Sequence, residues 1–300
     1  MTLPHRSAGY TLSQLQAEGT QRLTAAGIAP AEARAETRLL LSFSSGLSRE
    51  EIHLRPNIIL PGSVSEKFFA LLSRRERREP LAYILGEREF YGLSFQVTPA
   101  VLIPRPETEF LVEAALTAVK ERSAPRVADI GTGSGIIAIT LAVRTPQATV
   151  FATDISPEAL SVAQENARRH RVDNRIVFAE GDLLAPLYAY GPFDAIVSNP
   201  PYIAPEAIDT LETEVRDFEP RVALGIHPDP LHFYRRLAVE APPLLLAGGM
   251  LAVEVGQGQA EDVASLWRGD GLTNVSTVRD YAGIERVVLG YNSGYQCPEL

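Results

Sequence analysis

An apolar run, Arg126–Ile130, leads straight into Gly131-Thr-Gly133-Ser-Gly135, and a helical run follows over Ile136–Arg144. A strand that turns this abruptly into a helix on alternating glycines belongs to a βαβ unit. The downstream pattern repeats the alternation. Strands are expected at 149–153, 175–179, 193–198 and 250–255, and helices at 157–170 (with Ser156 as cap), 231–240 and 260–267. The runs 274–279 and 285–290, separated by a turn at Gly283, read as an antiparallel hairpin closing the sheet. These runs predict a doubly wound α/β fold, its seven-stranded sheet mostly parallel.

The first third has a different grammar. Thr11 with Gln14, Ser48 with Glu51 and Ser63 with Glu66 have the spacing of capping boxes. Pro30 can open a helix that Gly46 ends. These signals predict a small four-helix bundle. The run Arg74, Arg75, Arg77, Arg78 reads as a solvated helix end, with a partner-facing patch as the alternative. Residues 88–98 alternate around Gly92 as a β-hairpin, and 107–122 should form a helix with Phe110, Leu111, Ala114, Ala115 and Ala118 on one face. The expected divisions are a helical domain over 1–86, a hairpin linker over 87–106 and the α/β domain over 107–300.

Composition narrows the function. Residues 1–95 carry 12 Lys and Arg against 10 Asp and Glu, while 96–300 carry 16 against 27. An acidic larger part argues against stable nucleic-acid binding, which needs clustered cations. The lone Cys297 and five scattered histidines make neither a disulfide nor a spaced metal site, so no metal is expected. No run approaches the ~18 apolar residues of a membrane span, and the first residues lack a secretory apolar region. The cytoplasm is the expected location and no membrane partner is expected.

The glycine turn is the first candidate site. Gly131, Gly133 and Gly135 let backbone pass close to a ligand at the strand ends, where Thr132 and Ser134 also lie. Asp154 ends the next strand 21 residues after Gly133, and a carboxylate there can accept both hydroxyls of a ribose. The spacing is GxGxG rather than the dinucleotide GxGxxG. On this pattern a nucleoside cofactor is expected, with NAD and S-adenosylmethionine both open. For the latter, Asp129 can serve the ammonium directly or through water. Asp182 could accept from the adenine amino group, and Leu183 could cover the ring.

Asn199-Pro200-Pro201-Tyr202, after the apolar strand Phe193–Ser198, is the second site. Two prolines have no N–H and stiffen the loop, so it presents carbonyl acceptors. Asn199 adds a side-chain carbonyl and Tyr202 a flat ring. The set suits a planar group with an –NH₂: one hydrogen to the Asn199 side chain, the other to the Pro200 carbonyl, the plane on Tyr202. Two acceptors orient a poor amide nucleophile and favour the positive charge that develops as it takes a methyl group. Asn199, Pro200 and Tyr202 are therefore the expected catalytic residues, and Asn199–Tyr202 the substrate contacts.

With these motifs the chain resembles class I S-adenosylmethionine-dependent N-methyltransferases. Pro80–Gly86, Phe90–Phe95, Val101–Glu109, Phe218–Leu224 and Glu254–Gln259 are similar to the protein-(glutamine-N5) methyltransferases of peptide chain release factors, the PrmC/HemK type. The resemblance covers about residues 10–290. It implies a Rossmann-like methyltransferase domain preceded by a small helical domain for substrate recognition. It also implies S-adenosylmethionine held by Gly131–Gly135, Asp154, Leu183 and Asn199. The implied substrate is the glutamine of a Gly-Gly-Gln tripeptide on class I release factors, and the enzyme is expected to be a monomer. Many members carry an aromatic residue where this chain has Leu183, so apolar packing replaces stacking there. The alternatives are a ribosomal-protein glutamine or a nucleic-acid adenine amino group as methyl acceptor. A non-catalytic S-adenosylmethionine-binding module is a further alternative, against which the intact Asn199–Tyr202 loop argues. Arg105, Glu107 and Glu109 either cap the helix near Glu107 or line an entrance. In Glu219-Pro-Arg221 a structural salt bridge and a substrate contact stand equally.

Overall fold

The computed structural model describes residues 9–225 and 227–294; Cys297 lies outside them. The chain divides into two compact units, 1–86 with 213–218, and 87–212 with 219–300. The hairpin over 87–96 thus counts with the second unit.

In the first unit, α1 (Leu12–Ala25), α2 (Pro30–Ser45), α3 (Arg49–Leu54), α4 (Gly62–Glu76) and α5 (Leu81–Leu85) enclose a core of Leu15, Leu23, Leu40, Leu41, Phe68 and Leu72. The capping boxes at Thr11/Gln14 and Ser48/Glu51 form as the spacing predicts. Pro30 opens α2, and Gly46 closes it in the left-handed conformation. The third box does not form. Pro61 takes the cap position with φ −55° and ψ 147°, and its carbonyl accepts from Val64 and Ser65. Ser63 therefore lies inside the first turn, too late to cap. The unit is also richer than four helices, because α5 and a helix from 213–218 belong to it.

The arginine run is not a solvated end. Arg75 is buried and bonds Glu36 at 2.8 Å and Glu214 at 2.9 Å. Arg78 pairs with Glu214, and Arg74 with Glu79. Only Arg77 of the four is exposed. Burial raises the Glu36 carboxyl above its ordinary range, against the opposing hydrogen bond from Arg75. Burial acts on Glu214 in the same sense, but hydrogen bonds from Arg78 and Arg75 outweigh it and hold that carboxyl low.

The second unit opens with β1 (Glu87–Phe90) and β2 (Leu93–Gln96), an antiparallel pair turning on Tyr91 and Gly92, both left-handed. Then come α6 (Thr108–Val119), β3 (Arg126–Ile130), α7 (Ile136–Arg144), β4 (Thr149–Asp154), α8 (Pro157–Arg169), β5 (Ile176–Glu180) and β6 (Phe193–Ser198). After α9 (Thr213–Phe218), the helix held by the first unit, follow α10 (Arg221–Leu224), α11 (His232–Glu240), β7 (Leu245–Glu254), α12 (Ala260–Gly269), β8 (Thr273–Arg279) and β9 (Glu285–Tyr291). The sheet order is β5-β4-β3-β6-β7-β9-β8, parallel from β5 to β7 and antiparallel at β9.

Helices cover both faces. Val127, Ala195 and Val197 pack under α6 and α7, while Ala128, Ile130 and Ile196 pack under α11 and α12. Alternate residues of each strand thus serve opposite layers, as strand geometry requires. Each Val or Ile among them contributes roughly 1.5–3 kcal/mol on burial and each Ala less, which is why the central strands are apolar on both sides. One face is shifted from expectation. Helix α6 is shorter than 107–122 and buries Thr108, Leu111, Val112, Ala115 and Val119 instead of the Phe110 and Ala118 side. Strand β7 begins five residues early, beyond a register shift against β6.

The chain changes direction across the sheet between β3 and β6. Ile130 and Ser198 are register partners at the carboxyl ends of these strands, and the Ser198 hydroxyl donates to the Ile130 carbonyl at 2.7 Å. The glycine turn and the Asn199 loop therefore leave the sheet side by side, at the switch point where ligands bind in open α/β sheets.

Candidate active site

A cavity opens at this switch point. Gly131–Ser134, Asp154, Asp182, Leu183, Asn199 and Pro201 are among the residues lining it. Thr108, from the start of α6, joins them, as do Val222 and Phe233.

The glycine turn is braced by two carboxylates. Asp129 is fully buried at the end of β3, where its Oδ2 accepts from the Thr132 hydroxyl at 2.6 Å and from the Ala138 amide at 3.1 Å. Its buried Oδ1 has no hydrogen-bond partner among the described residues. Burial pushes this carboxyl up to about 7, with Asp154 adding to the rise and the two donors opposing it. At the end of β4, Asp154 accepts from the Gly133 amide at 2.8 Å and the Ser156 amide at 3.0 Å. Burial raises it as well, partly offset by these amides.

The other expected cofactor residues divide. Gly131 and Gly133 have φ of +72° and +57°, and a side chain at either would project into open space within the cavity. Gly135 does not line the cavity. Its missing side chain instead lets Ile139 and Ala163 close in, at 2.8 and 3.1 Å from where a Cβ would be. Asp182 lines the cavity but its Oδ2 is ion-paired with Arg236 at 2.8 Å. Leu183 is held in place by its carbonyl, which accepts from the Thr153 hydroxyl at 3.0 Å.

On the other wall stands Asn199. Its side-chain nitrogen donates to Thr108 Oγ1 at 3.3 Å, and that hydroxyl donates to Glu254 Oε2 at 2.6 Å. Glu254 ends β7 and is 2% exposed. Burial pushes its carboxyl up to about 7, with Glu107 adding to the rise and Thr108, Arg286 and a hydrogen bond from Asn199 opposing it. Asn199 and Pro201 are among the lining residues, between them Pro200 is buried, and Tyr202 next to Pro201 is half-buried. Tyr202 is seated from below: Gln259 Nε2 donates to its carbonyl at 3.1 Å, and Gln259 Oε1 accepts from the Gly256 amide at 3.0 Å. A Cβ at Gly256 would come within 3.0 Å of the Tyr202 ring. Burial, then the nearby Glu254, pushes the Tyr202 phenol up to about 12, so it stays neutral.

The charged segment before α6 makes structural contacts. Arg105 pairs with Glu219, whose other oxygen accepts from the Ile103 amide at 3.1 Å. The Glu219-Pro-Arg221 segment thus makes the structural salt bridge. Glu107 occupies the cap position of α6 without capping through its side chain, and faces Arg286 at 3.9 Å. Glu109 accepts from the Tyr91 amide at 2.9 Å. Arg105 also lines the cavity.

Thr108 lies in Val101–Glu109, and Glu254, Gly256 and Gln259 in Glu254–Gln259, segments singled out by resemblance but without a role for any of the four. A local signal existed for Glu254: like Asp129, it is an acid at the carboxyl end of an apolar strand.

The fold and the paired turns at its switch point define a class I methyltransferase domain. Residues 14–86 match the family described as the PrmC N-terminal domain, and 107–215 the methyltransferase small domain. A release factor glutamine methyltransferase of Moorella thermoacetica is 44% identical over 94% of this chain and 98% of that protein. Relatives of the same name in Geobacter sulfurreducens and Caulobacter vibrioides are 46% and 41% identical, over 86% and 96% of this chain and 89% and 99% of theirs. The chain belongs to the release factor glutamine methyltransferase family. Among solved structures, the hMettl16 catalytic domain in complex with MAT2A 3'UTR hairpin 6 superposes with a TM-score of 0.56 at 18% identity, over 75% of this chain and 82% of that one. A methyltransferase from Pyrococcus furiosus gives 0.50 at 19%, over 74% and 99%. Both share the fold.

The residues present fit S-adenosylmethionine, the cofactor of this family. The buried unpartnered Oδ1 of Asp129 suits a cation, and the open space over Gly131 and Gly133 admits a ligand against backbone.

Proposed function

We propose that this chain methylates the side-chain amide nitrogen of the glutamine in the Gly-Gly-Gln tripeptide of class I peptide chain release factors. The observation that carries the reading is the orientation of Asn199. Its nitrogen is engaged by Thr108 and by the Glu254 carboxylate, so among the described residues the carbonyl is the end of the amide left for a ligand in a cavity wall.

Asp154 and the glycine turn would hold the nucleoside of S-adenosylmethionine, Asp129 its ammonium, and Leu183 the adenine by apolar contact. Asp182 keeps one carboxylate oxygen free of Arg236 for an amino group. Bound there, the cofactor supplies a methyl group carried on a cationic sulfur. The chain's own part is to prepare the acceptor. Asn199 Oδ1 takes one hydrogen of the glutamine amide and the Pro200 carbonyl takes the other. The nitrogen is thereby fixed in line, and charge developing on it is met by two acceptors. The surplus proton can leave afterwards, so no strong base is required.

A tripeptide offers little contact area, so the helical unit is assigned to recognition of the factor's body. No helix of the described residues is long and apolar enough to cross a membrane. We read the protein as a cytoplasmic monomer with no stable nucleic-acid or membrane partner.

The test is transfer of tritiated methyl from S-adenosylmethionine to purified release factor, beside a factor with Gln→Ala in the tripeptide and an adenine-containing oligonucleotide. Label should appear on the unaltered factor alone. Equal label on the Gln→Ala factor, or label on the oligonucleotide instead, overturns the reading.

A further inference from the structure

We propose that Glu254 and Thr108 are positioning residues that set which end of the Asn199 amide faces the acceptor. The proposal rests on the reading of Asn199 as an acceptor for the glutamine amide.

A primary amide has a donor end and an acceptor end of almost the same shape, so packing alone hardly distinguishes its two orientations. Hydrogen bonding must do so. Threonine has a single hydroxyl hydrogen, and Thr108 gives it to Glu254 Oε2 at 2.6 Å. Toward Asn199, 3.3 Å away, Thr108 Oγ1 therefore has only lone pairs left. A lone pair selects the amide nitrogen, the Glu254 carboxylate accepts from that same nitrogen directly, and the carbonyl is turned the other way.

Without an acceptor at Glu254, the Thr108 hydrogen is free to swing toward Asn199. The carbonyl then becomes its better partner and the amide turns over. Its –NH₂ would meet the –NH₂ of the glutamine, two donors face to face. The acidic side chain 146 residues from Thr108 in sequence thus fixes a choice made on a third segment.

Glu254 is well placed for this. It ends β7, almost fully buried, and its backbone carbonyl accepts from the Tyr234 hydroxyl at 3.1 Å. The charged and titratable groups facing it are Glu107 beside α6, Arg286 on β9, Tyr202 on the proline loop and Tyr234 on α11. Only its ionised form is purely an acceptor. A protonated Glu254 could itself donate to Thr108 and release the polarity, so the relay should weaken as pH falls through the titration of this carboxyl.

A rival role exists. Thr108 is the first residue of α6, and the Thr108–Glu254 bond could merely anchor that helix. Two readouts separate the roles. The first needs no methylation: ¹⁵N NMR of the Asn199 side-chain amide, assigned by its absence in Asn199→Ala. In the wild type these signals should move with pH around neutrality, and in Glu254→Gln that movement should vanish. The second is methylation of release factor at saturating cofactor. Thr108→Val, of equal shape but without the hydroxyl, should lower kcat by roughly ten- to a hundred-fold with KM nearly unchanged. Thr108→Ser should recover most of that loss. A wild-type kcat in Thr108→Val, or Asn199 signals indifferent to Glu254→Gln, overturns the proposal. A wild-type protein that leaves glutamine unmethylated overturns the functional reading instead, and the NMR comparison still decides the relay.

Discussion

The Asp154 carboxylate accepts the backbone N–H of Gly133 at 2.8 Å, which fastens the end of β4 to the glycine turn after β3. The residue expected to hold a ribose therefore also shapes the turn beside it. This dual role sets the first prediction. Asp154→Ala removes charge-assisted hydrogen bonds worth roughly 1.5–3 kcal/mol, or about ten- to a hundred-fold in S-adenosylmethionine affinity by calorimetry. Because the Gly133 and Ser156 amides lose their acceptor too, the melting temperature without ligand should fall as well. Asp154→Asn keeps one acceptor oxygen and should lie between. Unchanged affinity would place the ribose elsewhere.

A second prediction concerns pH. The Asp129 carboxyl is pushed up to about 7 by burial, and its Oδ1 is unpartnered. A ligand ammonium favours the ionised form, so affinity should be full above pH 7 and fall as the carboxyl protonates below it. Binding near neutrality should release a proton, visible as a dependence of the calorimetric heat on buffer ionisation enthalpy. Stability without ligand runs the opposite way. A folded value above the ordinary 3.8 gives a contribution present at low pH and lost as pH rises through about 7. Asp129→Asn should abolish the proton release. Its persistence at full size would remove Asp129 from the ammonium site.

The strands and helices around these residues were legible because each is written locally. Arg126–Ile130, Ile136–Arg144 and Phe193–Ser198 follow from apolar runs and punctuation alone. The places of Asp154 and Asn199 in the cavity lining were legible for a related reason, since one ends a strand and the other directly follows one, each beside a recognisable turn. The relay behind Asn199 was not. Glu254, Thr108 and Asn199 lie on three elements, and no short pattern joins an acid to a threonine 146 residues away. The arginine run failed similarly. Its spacing described a charged helix end, whereas Arg75 is neutralised by Glu214, 139 residues on. The Ser63 cap failed locally, because a proline two residues earlier had already started the helix.

That buried cation gives the third prediction. Arg75 has a side chain only 4% exposed between Glu36 and Glu214. Removing one partner of a buried pair leaves uncompensated charge and costs about 3–5 kcal/mol. Arg75→Met should show a loss of that order in urea unfolding of the first unit, eased by adding Glu36→Gln. Glu36→Gln alone should cost less, since burial already disfavours that charge. Equal stability of Arg75→Met and wild type would mean that the apolar stem alone carries the site.

The last prediction tests the acceptor loop. Asn199→Ala removes the carbonyl that the relay turns toward the cavity. One glutamine hydrogen is then left unpaired in a dry site, costing roughly 1–3 kcal/mol. The nitrogen is also free to rotate off the line of attack, and such misplacement can cost on the order of 10²-fold in rate. The loss should therefore fall mainly on kcat. Asn199→Asp retains an acceptor but adds charge and can no longer donate to Thr108, so its geometry should suffer while cofactor binding holds or tightens. Tyr202 acts differently. Its phenol stays neutral, and its ring is seated closely against Gly256. Tyr202→Phe keeps that contact and should be mild, whereas Tyr202→Ala leaves the loop unsupported and should be severe. Single-turnover methylation rates for these four variants decide the matter. Near wild-type turnover in Asn199→Ala would sink the two-acceptor mechanism, even with family membership intact.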